Sequence, residues 1–380
     1  MVAGRKKVGL LFSYSEKWIG GSYYFMNLVN ALTHLDDDKK PHIVVVSGNE
    51  SDLEVLKKTD YPYLSYAYSE FHYNIVERIV NKLSRTLTSK NIIQKSFDKG
   101  IFDVLFGYYE ELFRFENYRK IYWIPDLQDK YYPEYLGAGV AAARMASHKR
   151  LAYSKAEVLF SSNDSKDDFD RFYPDAICKN YVVQFAVTLP DFEKLRFEDV
   201  AKKFNITQPY FFSPNQFWSH KNHITVIKAV ELLKQKGIET TVVFTGNEQT
   251  GGGSYAKELK EYVNQNGLVN NCLFLGFIDR NEQLVLMKNA RAVIQPSLFE
   301  GWSTVVEDAK CMGKYLILSD MKVHHEQIDE NVCFFSPSNS IELASIINNV
   351  VNTERKIVNK NYKHNLITFA NNFMKAVNSN

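Results

Sequence analysis

Between Gln295 and Ala309 the chain reads Gln-Pro-Ser-Leu-Phe-Glu-Gly-Trp-Ser-Thr-Val-Val-Glu-Asp-Ala, which sets Glu300 and Glu307 around a glycine turn just after the apolar run Ala292–Gln295. A loop carboxylate and a second one in a first helical turn can both accept hydrogen bonds from hydroxyls. The amides of Ser303, Thr304 and Val305 at that helix start suit an anion. Carboxylates repel phosphate, so their natural partners are sugar and ribose hydroxyls. The same residues also fit a capping box, with Thr304 bonding the Glu307 amide and Glu307 reaching back; this motif alone leaves both readings open. Upstream, the run from Phe211 to Ala229 reads as a buried strand, a polar turn and a helix with Ile224, Ile227 and Val230 on one face. Lys221 stands at that turn, where a cation suits a diphosphate, although a lone lysine there is more often a solvated one.

The N-terminal half offers further candidates. Gly20 and Gly21 follow the first strand by a short loop, letting the backbone come close to a ligand, and Ser22 is placed to cap the helix after them. Asp126 ends another strand at its carboxyl edge, where ligands of open parallel sheets bind; as a bland alternative, it is a turn residue after Pro125. Ser161 to Ser165 suit a helix cap near Asp164. A G-x-G-x-x-G dinucleotide fingerprint is absent after the first strand.

The motifs Asn215-Gln-Phe-Trp-Ser-His-Lys-Asn-His223, Phe244-Thr-Gly-Asn247, Leu275-Gly-Phe277 and Pro296 to Ala309, in that order, resemble the retaining GT-B glycosyltransferases of family 4. The resemblance implies an α/β chain of two Rossmann-like domains facing across a cleft. The activity it implies is transfer, with retention, of a sugar from a nucleotide-diphosphate sugar to a hydroxyl of a glycan or lipid-linked glycan, in bacterial-type polysaccharide or glycolipid assembly. It implies donor contacts from Gly20, Gly21, Gln216, Lys221, Gly246, Asn247, Glu300, Ser303, Thr304, Val305 and Glu307, and catalytic work by Asp126, Lys221 and Glu300. Glu307 is expected on the ribose and Glu300 on the sugar. No cofactor or metal ion is expected, since a cationic side chain and helix ends would take the diphosphate's charge and no D-x-D motif stands in a metal-binding context. Retention implies, by the same resemblance, a front-face attack in which the leaving phosphate helps deprotonate the acceptor.

Three departures from the family pattern stand out. Pro125-Asp126 replaces a His followed by an acidic residue, and Gln216 stands where an arginine often precedes the phosphate lysine. Six residues, Gly301 to Val306, separate Glu300 from Glu307, where the family has seven between its glutamates. A nucleotide-sugar epimerase, a phosphorylase or a non-catalytic sugar-nucleotide-binding module on the same fold are the alternatives, because fold does not fix chemistry.

The elements that must position these residues alternate strand and helix signals along 380 residues, as parallel sheets wrapped by helices do. The pattern runs from Val8 to Val183 and restarts at Tyr210, giving an acceptor domain over 1–195, a donor domain over 207–360 with a linker before it, and a helix over 361–380 crossing back to the first domain. Lys+Arg 46 against Asp+Glu 44 is too balanced for a nucleic-acid binder. Four scattered cysteines without metal spacing read as reduced thiols of a cytoplasmic protein. The segment from Phe71 to Lys90 has Ile75, Ile79, Leu83 and Leu87 at helical spacing with basic residues elsewhere, fitting a core helix or a peripheral membrane contact. Aromatic stretches over 61–68 and 131–135 suit sugar stacking or ordinary packing.

Overall fold

The computed structural model describes residues 4–69, 97–115, 117–250, 253–353 and 356–379, with five single positions between 76 and 84. The segment 71–90, read above as a core helix or a membrane contact, lies outside the described residues except at those five positions, and Gly251 and Gly252 also lie outside them.

Short apolar runs rich in Val, Ile, Leu and Phe build two wholly parallel sheets, as expected for strands buried on both faces. The first sheet holds β1 (Lys7–Leu11), β2 (His42–Ser47), β3 (Leu64–Tyr68), β4 (Val104–Tyr108), β5 (Lys120–Ile124), β6 (Glu157–Phe160) and β7 (Lys179–Val182). Its order is β3-β2-β1-β4-β5-β6-β7. The second comprises β8 (Tyr210–Pro214), β9 (Thr241–Thr245), β10 (Cys272–Phe274), β11 (Val293–Gln295), β12 (Leu316–Ser319) and β13 (Val332–Phe335), ordered β10-β9-β8-β11-β12-β13. Successive residues alternate between the two faces: Val104 and Phe106 enter one core cluster and Leu105 the other.

In each sheet the strand order reverses once, between β1 and β4 and between β8 and β11. Such a reversal opens a crevice beyond the strands' carboxyl ends. The loops after β1, β8 and β11 line one common cleft, so the two crevices face each other.

Two stretches tie the halves together. The expected linker is structured: it carries helix Phe197–Lys203, whose Val200 and Ala201 are buried in one cluster with Tyr210 and Leu286 of the second half. At the other end, helix Lys363–Asn378 lays Leu366, Phe369, Phe373 and Val377 into the core of the first half, against helix Ile19–Leu32. These positions recur every three or four residues, the stripe of one helix face. Arg119, bonded to Glu157, donates to the carbonyls of Ala376 (3.1 Å) and Val377 (2.5 Å), which satisfies carbonyls the last turn leaves open. Among the described residues no helix is long and apolar enough to cross a membrane.

Candidate active site

The cleft between the two sheets has a volume of about 430 Å³, a size suited to a small molecule. Gly20, Gly21, Asp126, Gln216, Lys221, Gly246, Glu300, Ser303, Thr304 and Val305 all line it, as does Asp308. Glu307 and Asn247 do not.

Three carboxylates in this cleft share one arrangement. Asp126 Oδ1 accepts from Arg144 Nη2 at 2.6 Å and from the Gln128 amide at 3.0 Å. Glu300 Oε1 accepts from Lys221 Nζ at 2.6 Å and from Gln295 Nε2 and Ser297 Oγ, both at 2.7 Å. Asp308 Oδ1 accepts from Arg280 Nη2 at 2.6 Å, while its buried Oδ2 has no partner among the described residues. In each case these bonds fall on one oxygen; the other is left for a ligand at Asp126 and Glu300, whereas that of Asp308 is closed off from solvent and would meet a ligand only after the side chain turns. A carboxylate held this way loses little freedom when a hydroxyl binds.

The electrostatics differ within the set. Burial raises the carboxyl of Glu300, but the Lys221 charge and the bonds from Lys221 and Ser297 outweigh it, leaving the group below its usual range. Burial of Asp126 is likewise outweighed by the Arg144 charge and the Gln128 amide. Asp308 stays above its usual range because Arg280 only partly offsets burial. His220, buried beside Lys221, is pushed down to about 4 and pairs with Gln128 of the opposite half at 3.1 Å.

Backbone geometry brings the walls together. A side chain on Gly301 would fall 2.0 Å from the Pro125 carbonyl, and one on Gly246 2.1 Å from that of Asn215, so only glycine permits either approach. Trp302 Nε1 donates to the Phe185 carbonyl at 3.0 Å across the halves. Helix Asn163–Phe172, capped by Ser162, receives a second cap from the other half: Glu326 accepts from the amides of Asn163 (2.8 Å) and Asp164 (3.1 Å).

Several expectations need correction. Glu307 does not face the cleft. It is fully buried, its Oε2 bonded by the Tyr362 hydroxyl and its Oε1 by Gln327 Nε2 (3.0 Å) and Lys310 Nζ (3.3 Å). The reason is helical phase: in Thr304–Cys311, Asp308 lies one turn after Thr304 on the cleft side, and Glu307 lies a third of a turn away from it. Asp308 is also the residue that follows Glu300 after seven intervening positions, so the family's spacing is intact with an aspartate at its end.

The cap of that helix is Ser303, whose Oγ accepts from the Val306 amide; Thr304 does not close a capping box. The Ser303 amide is already given to Gln327 Oε1 at 3.2 Å, so the helix leaves those of Thr304 and Val305 for an anion. Asn247 sits behind Gln216, donating its amide to Gln216 Oε1 at 2.9 Å. Ser22 is no cap either, because helix Ile19–Leu32 begins before the glycines; its Oγ instead accepts from the Ser15 amide at 2.9 Å. Sequence reasoning missed Arg144 and Arg280, which reach the cleft carboxylates from distant helices, and Asp308, which the spacing alone could have found.

Residues 196–371 match the model of the family "Glycosyl transferases group 1". The putative glycosyltransferase EpsF of Bacillus subtilis is 32% identical over 105 residues, which are 28% of this chain and 26% of that one. The O-antigen chain mannosyltransferase RfbU of Salmonella typhimurium is 26% identical over 176 residues, 46% of this chain and 48% of its own. The chain thus matches about half or less of these relatives' length. Anabaena Alr3699/HepE, solved in complex with UDP and glucose, superposes with a TM-score of 0.63 at 17% identity, covering 98% of this chain and 95% of its own. The two facing parallel sheets are the GT-B fold, and residues 196–371 are a group 1 glycosyl transferase domain.

Proposed function

We propose that this chain is a retaining glycosyltransferase that moves a sugar from a nucleotide-diphosphate sugar to an acceptor hydroxyl of a glycan or lipid-linked glycan. The observation that carries the proposal is the set of three half-anchored carboxylates, Asp126, Glu300 and Asp308, in one cleft with Lys221 and Arg280. In this reading the diphosphate lies against Lys221 and the free amides of Thr304 and Val305, with the first-turn amides around Gly20 and Gly21 opposite. Asp308 takes a ribose hydroxyl, Glu300 a hydroxyl of the transferred sugar and Asp126 a hydroxyl of the acceptor. The acceptor oxygen attacks the anomeric carbon on the face the phosphate leaves, the bond from that carbon to the phosphate oxygen breaks, and the acceptor proton passes to the departing phosphate. No metal or other cofactor enters this scheme. The printed names of relatives, an O-antigen chain mannosyltransferase and a protein bound to UDP and glucose, support a nucleotide-sugar donor and a role in polysaccharide assembly.

Incubation with UDP-, GDP- and ADP-linked hexoses, followed by NMR, tests the reading. Slow release of nucleoside diphosphate with the anomeric configuration kept is expected. An inverted product would refute retention, and failure of every donor to bind or react would refute the transferase.

A further inference from the structure

Trp18 is 41% exposed and lines the cleft, while the aromatic rings behind it, Trp123 and Tyr24, are 3% and 1% exposed. Its indole stacks on Trp123 at 5.7 Å and 26°, and Trp123 stacks on Tyr24 at 3.9 Å and 11°. Tyr108 packs at 4.8 Å on the same indole. From below, Gly21 supports it with bare backbone: a side chain there would lie 2.6 Å from three of the indole carbons. The outer ring of this column is therefore fixed in place yet open to the cleft, an arrangement that burial alone does not reward.

Charge says what can lie on it. Among the described residues, the charged groups that the first half puts into the cleft are Glu16 and Asp126, whereas both cations that line it, Lys221 and Arg280, belong to the opposite wall, beside Asp279, Glu300 and Asp308. A phosphate finds its cations on that wall and on this one only backbone amides, whereas a neutral polyol needs no cation. We infer that Trp18 is the platform for a pyranose ring of the acceptor glycan, whose C–H face lies on the indole while one of its hydroxyls reaches the free oxygen of Asp126. An amphipathic, rigid aromatic suits a ligand with one apolar face and polar edges. This inference rests on the transferase reading and adds to it the chemical class of the acceptor: a cyclic sugar rather than an acyclic polyol or the phosphate of a lipid carrier.

Saturation-transfer NMR on the full chain, with methyl glucopyranoside, methyl galactopyranoside and methyl mannopyranoside as probes and sorbitol as the acyclic control, reads the platform directly. At least one pyranoside is expected to receive saturation well above sorbitol. Trp18→Ala should weaken its affinity about tenfold, Trp18→Phe should recover part of the loss, and calorimetric affinity for UDP or GDP should stay within about twofold. Equal pyranoside signals from the parent and Trp18→Ala, sorbitol matching the pyranosides, or a parallel loss of nucleotide affinity in Trp18→Ala would each overturn the platform. A parent chain that binds the pyranosides through Trp18 but no nucleoside diphosphate would instead overturn the transferase reading.

Discussion

The two walls of the cleft handle charge differently. On the first half's wall the cation Arg144 lies behind Asp126, buried and also 3.3 Å from Asp129, so the surface offered to a ligand is acidic and aromatic. On the second half's wall Lys221 and Arg280 stand in the cleft beside Glu300 and Asp308. Both walls use a cation to hold one carboxylate oxygen. Only the second leaves the cation where an anionic ligand can meet it, which is what the proposed split between a neutral sugar on one side and a diphosphate on the other requires.

The largest effect should come from breaking the hidden pair. Arg144→Met leaves Asp126 and Asp129 without their cation and should cost about 3–5 kcal/mol of stability in chemical unfolding; a loss below about 1 kcal/mol would mean the pair is effectively solvated. Lys221→Ala tests the exposed cation of the opposite wall. Nucleoside diphosphate affinity, measured by calorimetry, should fall by about 1.5–3 kcal/mol, and unchanged affinity would remove Lys221 from the phosphate site.

Neighbouring carboxylates sharpen the contrast further. Asp308→Asn should weaken nucleotide binding by about 1.5 kcal/mol, whereas Glu307→Gln should spare it; the reverse result would return the ribose to Glu307. Stability against pH separates the same pair of roles. Burial holds the Glu307 carboxyl above its ordinary range, with Lys310, Tyr362 and Gln327 offsetting only part of it. The contribution of that group is therefore fully present below the unfolded value of about 4.3 and declines as pH rises through the folded one. Glu307→Gln should gain stability relative to the parent as pH rises above about 4.3. Glu300 and Asp126, both depressed, behave oppositely, contributing above the unfolded value and losing that contribution as pH falls through the folded one. The smallest change is expected for Glu326→Gln, which weakens the cap across the halves and should lower stability by about 1 kcal/mol or less.

Much of the scaffold was legible because buried parallel strands announce themselves as apolar runs; of the thirteen strands among the described residues, eleven lie on runs that read as strands in the sequence. The other two, β3 and β13, are edge strands. The β3 sequence Leu-Ser-Tyr-Ala-Tyr suited sugar stacking or ordinary packing alike; Tyr66 spends its hydroxyl on the Ser47 carbonyl at 2.9 Å, and nearby Tyr61 spends its own on that of Pro41 at 2.6 Å, as packing residues do. At the site, Lys221 and Glu300 could be read from local motifs, since each sits on a turn after a strand, and Gly20 and Gly21 from their place soon after β1, although they lie in the first turn of a helix and not in a loop. The partners Arg144 and Arg280 could not, because nothing in a helix's own sequence says which loop it will face. The confusion of Glu307 with Asp308 was one of phase: a single position along a helix turns a side chain by about 100°, enough to move it from the cleft to the core.

The return of helix Lys363–Asn378 into the first half's core bears on the order in which the protein is made. Domains of a growing chain generally fold N-terminal first. Here the first half emerges from the ribosome early but lacks Leu366, Phe369, Phe373, Val377 and the contacts of Arg119 until the second half has been synthesised. An unsealed apolar face on helix Ile19–Leu32 must therefore wait through the 180 residues between Val182 and Lys363, a stretch of translation in which truncated chains are expected to aggregate.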